Sequence, residues 1–204
     1  MTGQGPSNAL VPSRMLLSPT GERWTWLSLV QKARISHLEA IMIQGEAPHL
    51  ESLAGWEWNG ANCVRLYSLV GLRRFVKGFY EGPPRVKGGP EPFIQGYNIS
   101  CPRLPDEAPP RLLPSDEAPR RFGFFRVHRV VKGSRDDRYP NALLLDYGLG
   151  GNGFFGPPLR DYLVQVYGDN PDLLVGKAYV ALGPLRIPLN YFVLERWRRH
   201  DFRG

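Results

Sequence analysis

The chain has little cysteine, no long apolar run, and none of the residue spacings that announce a metal, a nucleotide or a hydrolytic nucleophile. Cys63 and Cys101 are the two cysteines in 204 residues, too few for a disulfide-built scaffold. No apolar run approaches the roughly 20 residues of a membrane-spanning helix, so no membrane span is expected. The opening MTGQGPSNALVPSR lacks the basic start and unbroken apolar core of a secretory signal. With so little cysteine, that points to a reducing cytoplasm. His37, His49, His128 and His200 are scattered without ligand spacing, so neither a metal nor a cofactor is expected. Gly-x-Ser-x-Gly is absent, which excludes the usual hydrolase elbow. The glycine-rich stretch Gly148–Gly153 lacks the Gly-Lys-Ser/Thr ending of a phosphate loop and runs into Phe154 and Phe155 ahead of a strand. It reads as a hairpin connection whose two phenylalanines cap a barrel mouth.

What is present suits a turn-rich β protein. Hydrophobic residues make up 42% of the chain, with 23 glycines and 20 prolines. That length and composition support one domain with a self-sufficient core. The formal net charge of +7 invites a nucleic-acid reading, but the basic residues fall in small groups: Arg73-Arg74, Arg120-Arg121 and Arg196 to His200. No zinc-finger, RNP-like or helix-turn-helix pattern accompanies them, so a solvated basic surface is expected and nucleic acid is not. The Arg196–His200 group is where RNA or anionic lipid would be tested.

Residues 1–24 read as an irregular arm and 25–45 as a bracing helix, because Leu27, Val30, Leu38 and Ile41 share one helical face. From 48 to 197 the pattern is β almost throughout, and 198–204 form a basic tail. Eight strands are predicted: 55–63, 73–80, 92–99, 121–131, 142–147, 159–167, 174–182 and 189–196. Proline- and glycine-rich connections separate them. The fold class is therefore mainly β, an antiparallel barrel of about eight strands with one N-terminal α-helix; an open sheet on that helix is the competing layout.

Several strands are apolar on both faces. Leu143, Leu144 and Leu145 are consecutive, and 174–182 alternates two aliphatic parities interrupted by Lys177 and Tyr179. The outer face therefore needs a cover, either the N-terminal helix and arm or a second subunit, and the cover is expected to be partly intersubunit, in a homo-oligomer or a larger assembly.

Candidate ligand-binding residues are polar or aromatic groups at strand positions: Trp58, Lys77, Tyr97, Arg126, His128, Tyr147, Asp161, Lys177, Tyr179 and Tyr191. Alternation sends Arg160 and Asp161 to opposite faces, so only one lines a cavity. Arg126 and His128 share a face that points inward only if Phe125 and Val127 do not.

The helix followed by Gly55-Trp56-Glu57-Trp58-Asn59-Gly60 and a run of strands resembles the calycin group of lipocalin-like barrels. That group tends to open its first strand with a tryptophan in a Gly-x-Trp setting, over whose ring a late arginine packs. Arg196 or Arg198 would be that arginine, although Trp56 stands where the motif has glycine. The resemblance implies a cavity for a small, largely hydrophobic molecule.

Three functions are weighed. The first is a binding protein for a small hydrophobic or amphipathic ligand in the barrel. The second is a cavity enzyme of isomerase, cyclase or dehydratase type, with Asp161 or Glu195 as base and Tyr179 or Lys177 as electrophilic partner. The third is a structural subunit that docks through its apolar outer face.

Overall fold

The computed structural model describes residues 16–63, 73–82, 93–149, 152 and 158–204. The first fifteen residues of the expected arm, and Phe154 and Phe155, lie outside the described residues. Eight strands pair in sequence order and close into an antiparallel barrel. They are β1 (Trp56–Asn62), β2 (Arg74–Glu81), β3 (Ile94–Ser100), β4 (Arg121–Arg129), β5 (Leu143–Asp146), β6 (Leu159–Tyr167), β7 (Asn170–Leu182) and β8 (Leu185–Arg199). β8 pairs back onto β1, Trp58 opposite Arg196, which closes the sheet on itself.

Glycines decide how large rings fit into this wall. Gly60 sits opposite Phe75, Gly96 opposite Phe125 and Gly176 opposite Phe192. Each ring lies across its cross-strand glycine. A Cβ on Gly176 would come within 2.1 Å of the Phe192 ring, and one on Gly96 within 2.6 Å of the Gly78 carbonyl. The rings thus occupy space that any other residue would fill. Inside, Trp58, Phe79, Phe125, Leu143, Leu145, Leu163, Leu174 and Leu194 form one continuous cluster. Phe125 and Val127 belong to it, so Arg126 and His128 face outward.

One end of the barrel is closed. The short helix α3 (Leu50–Leu53) precedes β1, and Leu53 is fully buried against the interior cluster. Arg196 lies over both Trp58 and Trp56, 5.1 and 4.7 Å from their ring centroids.

The N-terminal helix is two helices. α1 (Trp26–Lys32) and α2 (Ile35–Gln44) are separated by Ala33 and Arg34, whose backbones are extended. Each has its own start: the Thr25 hydroxyl accepts the Ser28 amide, and the His37 ring accepts the Arg34 amide at 3.2 Å. The helical periodicity runs across this break, so it predicts one helix where the structure has two. Trp26, Leu29 and Val30 of α1 and Leu38, Ile41 and Met42 of α2 cover Tyr162, Val164, Val175, Tyr179 and Val193 on the outer face of β6–β8.

A second outer patch, Val76, Tyr80, Tyr97 and Ile99, lies under Leu112 and the C-terminal residues Trp197 and Phe202. The Phe202 ring is 4.9 Å from that of Tyr97, so the C-terminal tail is docked rather than free. The chain's own helices, connections and tail therefore cover both apolar outer patches. No helix among the described residues is long and apolar enough to cross a membrane.

Candidate functional site at the end of the barrel opposite α3

Three of the candidate residues meet inside the barrel. Lys77 of β2, Asp161 of β6 and Tyr147, in the helical turn after β5, converge with Asn98 of β3. The Lys77 Nζ donates to Asn98 Oδ1 at 2.9 Å, to the Tyr147 hydroxyl at 2.7 Å and to Asp161 Oδ2 at 3.2 Å. Tyr147 in turn donates to the same carboxylate oxygen at 2.9 Å. Three acceptors satisfy the three protons of an ammonium. Phe125 and Phe192 flank the charge, their ring centroids 4.6 and 5.3 Å from Nζ.

Lys77 is 2% exposed, so the ion pair is almost fully desolvated. Burial pulls the Lys77 amine below the ordinary lysine range against the opposing pull of Asp161. Burial also pushes the Tyr147 phenol well up, and the neighbouring Asp161 charge adds to it. Asn98 is fixed from behind, its Nδ2 donating to the Gly123 carbonyl at 3.0 Å. Gly123 has φ +56, and this left-handed residue sits where the β3–β4 register shifts. Asn152 is anchored beside the cluster: its Oδ1 accepts the Phe124 amide and its Nδ2 donates to the Tyr147 carbonyl, both at 2.8 Å.

Lys177, Tyr179 and Tyr191 lie on the other side of the wall, beneath α2. Lys177 donates to Glu39 Oε2 at 2.7 Å and to the Tyr139 hydroxyl at 2.9 Å. Tyr191 and Tyr139 both donate to Glu39, and the Tyr139 and Tyr179 hydroxyls are 3.2 Å apart. Burial opposes both charges, yet these hydrogen bonds outweigh it, lowering Glu39 and raising Lys177. This network ties α2 to the barrel. Asp161 therefore does not meet Lys177 or Tyr179, because alternation puts them on opposite faces.

The remaining candidates are dispersed. Trp58 lies deep inside, under Arg196. Tyr97 is on the outer face, donating to the fully buried Glu57 at 2.9 Å while Arg198 donates to the same carboxylate at 2.8 Å. Arg126 stacks over Phe93 outside. His128, also outside, lies 3.1 Å from the Arg129 carbonyl.

Beyond Asn98 the inner face continues to the rim. Ser100 follows two residues further along β3, and Phe122 pairs with Asn98 across the ladder. The β3–β4 connection folds back beside them, Leu113 donating its amide to the Ser100 carbonyl and accepting that of Arg120. Ser100, Leu113, Pro114, Arg120 and Phe122 line a pocket of about 680 Å³.

Across the mouth, the β7–β8 ribbon extends past the barrel. Val180 pairs with Ile187 and Leu182 with Leu185, on the parity of the inward Leu174. Leu185 is 61% exposed, and Leu113, Phe122, Leu182 and Ile187 are exposed as well. Large apolar side chains in contact with water thus gather at this end.

Ser100, Leu113, Pro114, Arg120, Phe122 and Glu39 are not among the candidate residues that the sequence pattern singles out. The first five come together only through the fold-back of a proline-rich connection. For Lys77 and Lys177 a signal was there: only Lys32, Lys77, Lys87, Lys132 and Lys177 among the 26 basic residues are lysines, and these two interrupt apolar strands. Among the described residues no group of three His, Cys, Asp or Glu side chains is arranged to hold a metal ion. Compared with protein-family models, with curated proteins and with solved structures, the chain matches none.

Proposed function

We propose that this protein binds a small amphipathic molecule at the end of its barrel opposite α3. The ligand's apolar body rests on Phe122, Leu113 and Pro114, and the β7–β8 ribbon faces it across the mouth. The observation that carries this reading is the pocket of about 680 Å³ at the end where exposed apolar side chains collect. Its volume falls in the usual range for small-ligand sites, and contiguous exposed apolar surface marks interaction sites. The deeper interior is packed with Leu, Phe and Trp side chains, so the reading confines the ligand to the rim and the polar cluster beneath it. The stacking of Arg196 over Trp58 supports placing the barrel near the calycin group, where a small-molecule cavity is the common use.

The test is titration with a neutral environment-sensitive dye such as N-phenyl-1-naphthylamine, beside native mass spectrometry of protein from its own source. Saturable dye binding that Phe122→Glu abolishes is expected. Absence of both dye binding and a retained small molecule would overturn the reading.

A second reading, a cavity enzyme, draws on one observation: an amine, a phenol and a carboxylate sharing hydrogen bonds at Lys77, Tyr147 and Asp161. Such a set suits proton transfer to a bound carbonyl compound. Under that reading Tyr147→Phe, which keeps the Lys77–Asp161 pair, lowers turnover and leaves dye binding at the rim intact.

A further inference from the structure

Many of the described charged groups around the barrel already have partners. The three protons of Lys77 are taken, Lys177 is held by Glu39, and the C-terminal basic group is engaged. Arg196 pairs with Asp172 at 2.7 Å, Arg198 with Glu57 at 2.8 Å, and Arg199 stacks on Trp56. Around the rim, Arg73 is bound to Asp106 and Arg186 to Asp136. Arg74 is spent on the Asn59 side chain and three backbone carbonyls of the β3–β4 connection.

Arg120 is placed differently: among the described residues it is the charged one that lines the apolar pocket, and no described carboxylate lies within ion-pair distance of its guanidinium. Its backbone amide is fixed to the Leu113 carbonyl at 2.9 Å, so the side chain starts from a set position. Of the acids just before Arg120 in the chain, Asp116 accepts the Leu112 amide at 2.7 Å and Glu117 is exposed. Ser100 adds a second donor, its hydroxyl free of any protein partner among the described residues while its carbonyl accepts Leu113. The pocket lining therefore combines an arginine and a serine with the apolar Leu113, Pro114 and Phe122.

We infer that the ligand of this pocket is an amphipathic organic anion, its carboxylate-like head held by Arg120 and Ser100. A guanidinium binds such a head through two parallel N–H donors, and that geometry discriminates an anion from an alcohol of the same length. A cationic amphiphile would meet Arg120 as a like charge. This inference rests on the proposed binding reading and names its ligand class.

The test uses the full chain and three probes of equal tail length: decanoate, decanol and decyltrimethylammonium, each below its aggregation threshold. Binding is followed by displacement of the neutral dye. Decanoate is expected to displace the dye at about tenfold lower concentration than decanol, as a charge-assisted hydrogen bond at a partly exposed site allows. The cation is expected to be the weakest of the three. Arg120→Gln should bring decanoate down to the level of decanol, Arg120→Lys should restore part of the difference, and Arg111→Gln, an exposed change on the same connection, should leave it unchanged.

Equal displacement by decanoate and decanol in the wild-type protein would overturn the anion inference while leaving the binding reading in place. So would a decanoate preference that survives Arg120→Gln. If the neutral dye itself fails to bind, the binding reading falls and this inference falls with it.

Discussion

The Lys77 ammonium lies 2.7 Å from the Tyr147 hydroxyl inside the closed barrel, and the two share the Asp161 carboxylate. A buried pair of this kind is costly to break from one side, because the surviving charge loses its partner. Asp161→Asn or Lys77→Met alone is therefore expected to destabilise the fold by about 3–5 kcal/mol in urea unfolding. The double change Lys77→Met, Asp161→Leu should cost markedly less than the two single changes added together. Additive losses would show that the pair does not act as a unit.

The same lysine predicts a pH slope. Its folded pKa lies below the ordinary 10.5, so over that interval the unfolded chain holds the proton more tightly. Stability from this group therefore rises with pH up to 10.5. Lys77→Met is expected to flatten that rise, measured by urea midpoints across pH.

Tyr191 acts in the opposite sense. Burial and the neighbouring Glu39 push its phenol up from 10.0 to about 12. Between those values the unfolded chain ionises while the folded one keeps its proton, so stability falls as pH rises through this window. Tyr191→Phe should reduce the steepness of alkaline unfolding, and an unchanged alkaline midpoint would count against the burial of this hydroxyl.

The C-terminal tail predicts an acid response. His200 Nε2 donates to the Phe79 carbonyl at 3.0 Å, and its Nδ1 accepts the Phe202 amide at 3.2 Å, so the docked ring is neutral. Burial lowers its pKa below 6.5, against the pull of the Glu57 charge. Its contribution is present above 6.5 and is lost as pH falls toward the folded value. Hydrogen exchange of the amides at 198–202 should accelerate in that range, and Phe202→Ala should make it fast at every pH.

Gly176→Ala tests the ring-over-glycine packing. Its Cβ would meet the Phe192 ring, so a loss of about 1–3 kcal/mol is expected, as for other overpacked interiors. Gly176→Ala with Phe192→Leu should recover part of it.

Much of the barrel was legible in the sequence. Apolar runs of strand length between proline and glycine clusters located all eight strands, because a pleated, half-buried surface requires them. Alternation also foretold that Arg160 and Asp161 would part company across the wall. The helix at 25–45 was seen as one because periodicity does not register two extended residues at Ala33 and Arg34.

The site was less legible. Parity within a strand is visible from sequence, but which parity faces inward is set by closure, and closure set Lys77, Tyr147 and Asp161 on one side and Lys177, Tyr179 and Tyr191 on the other. The local chemistry of residues 143–147 and 159–182 by itself determined strands apolar on both faces and carrying a few polar groups. Only the tertiary structure decided what each face meets: α2 and Glu39 outside, and the Lys77 cluster inside. The Arg120 pocket is the extreme case, since its walls depend on where a long connection folds back, and that contact is non-local by nature.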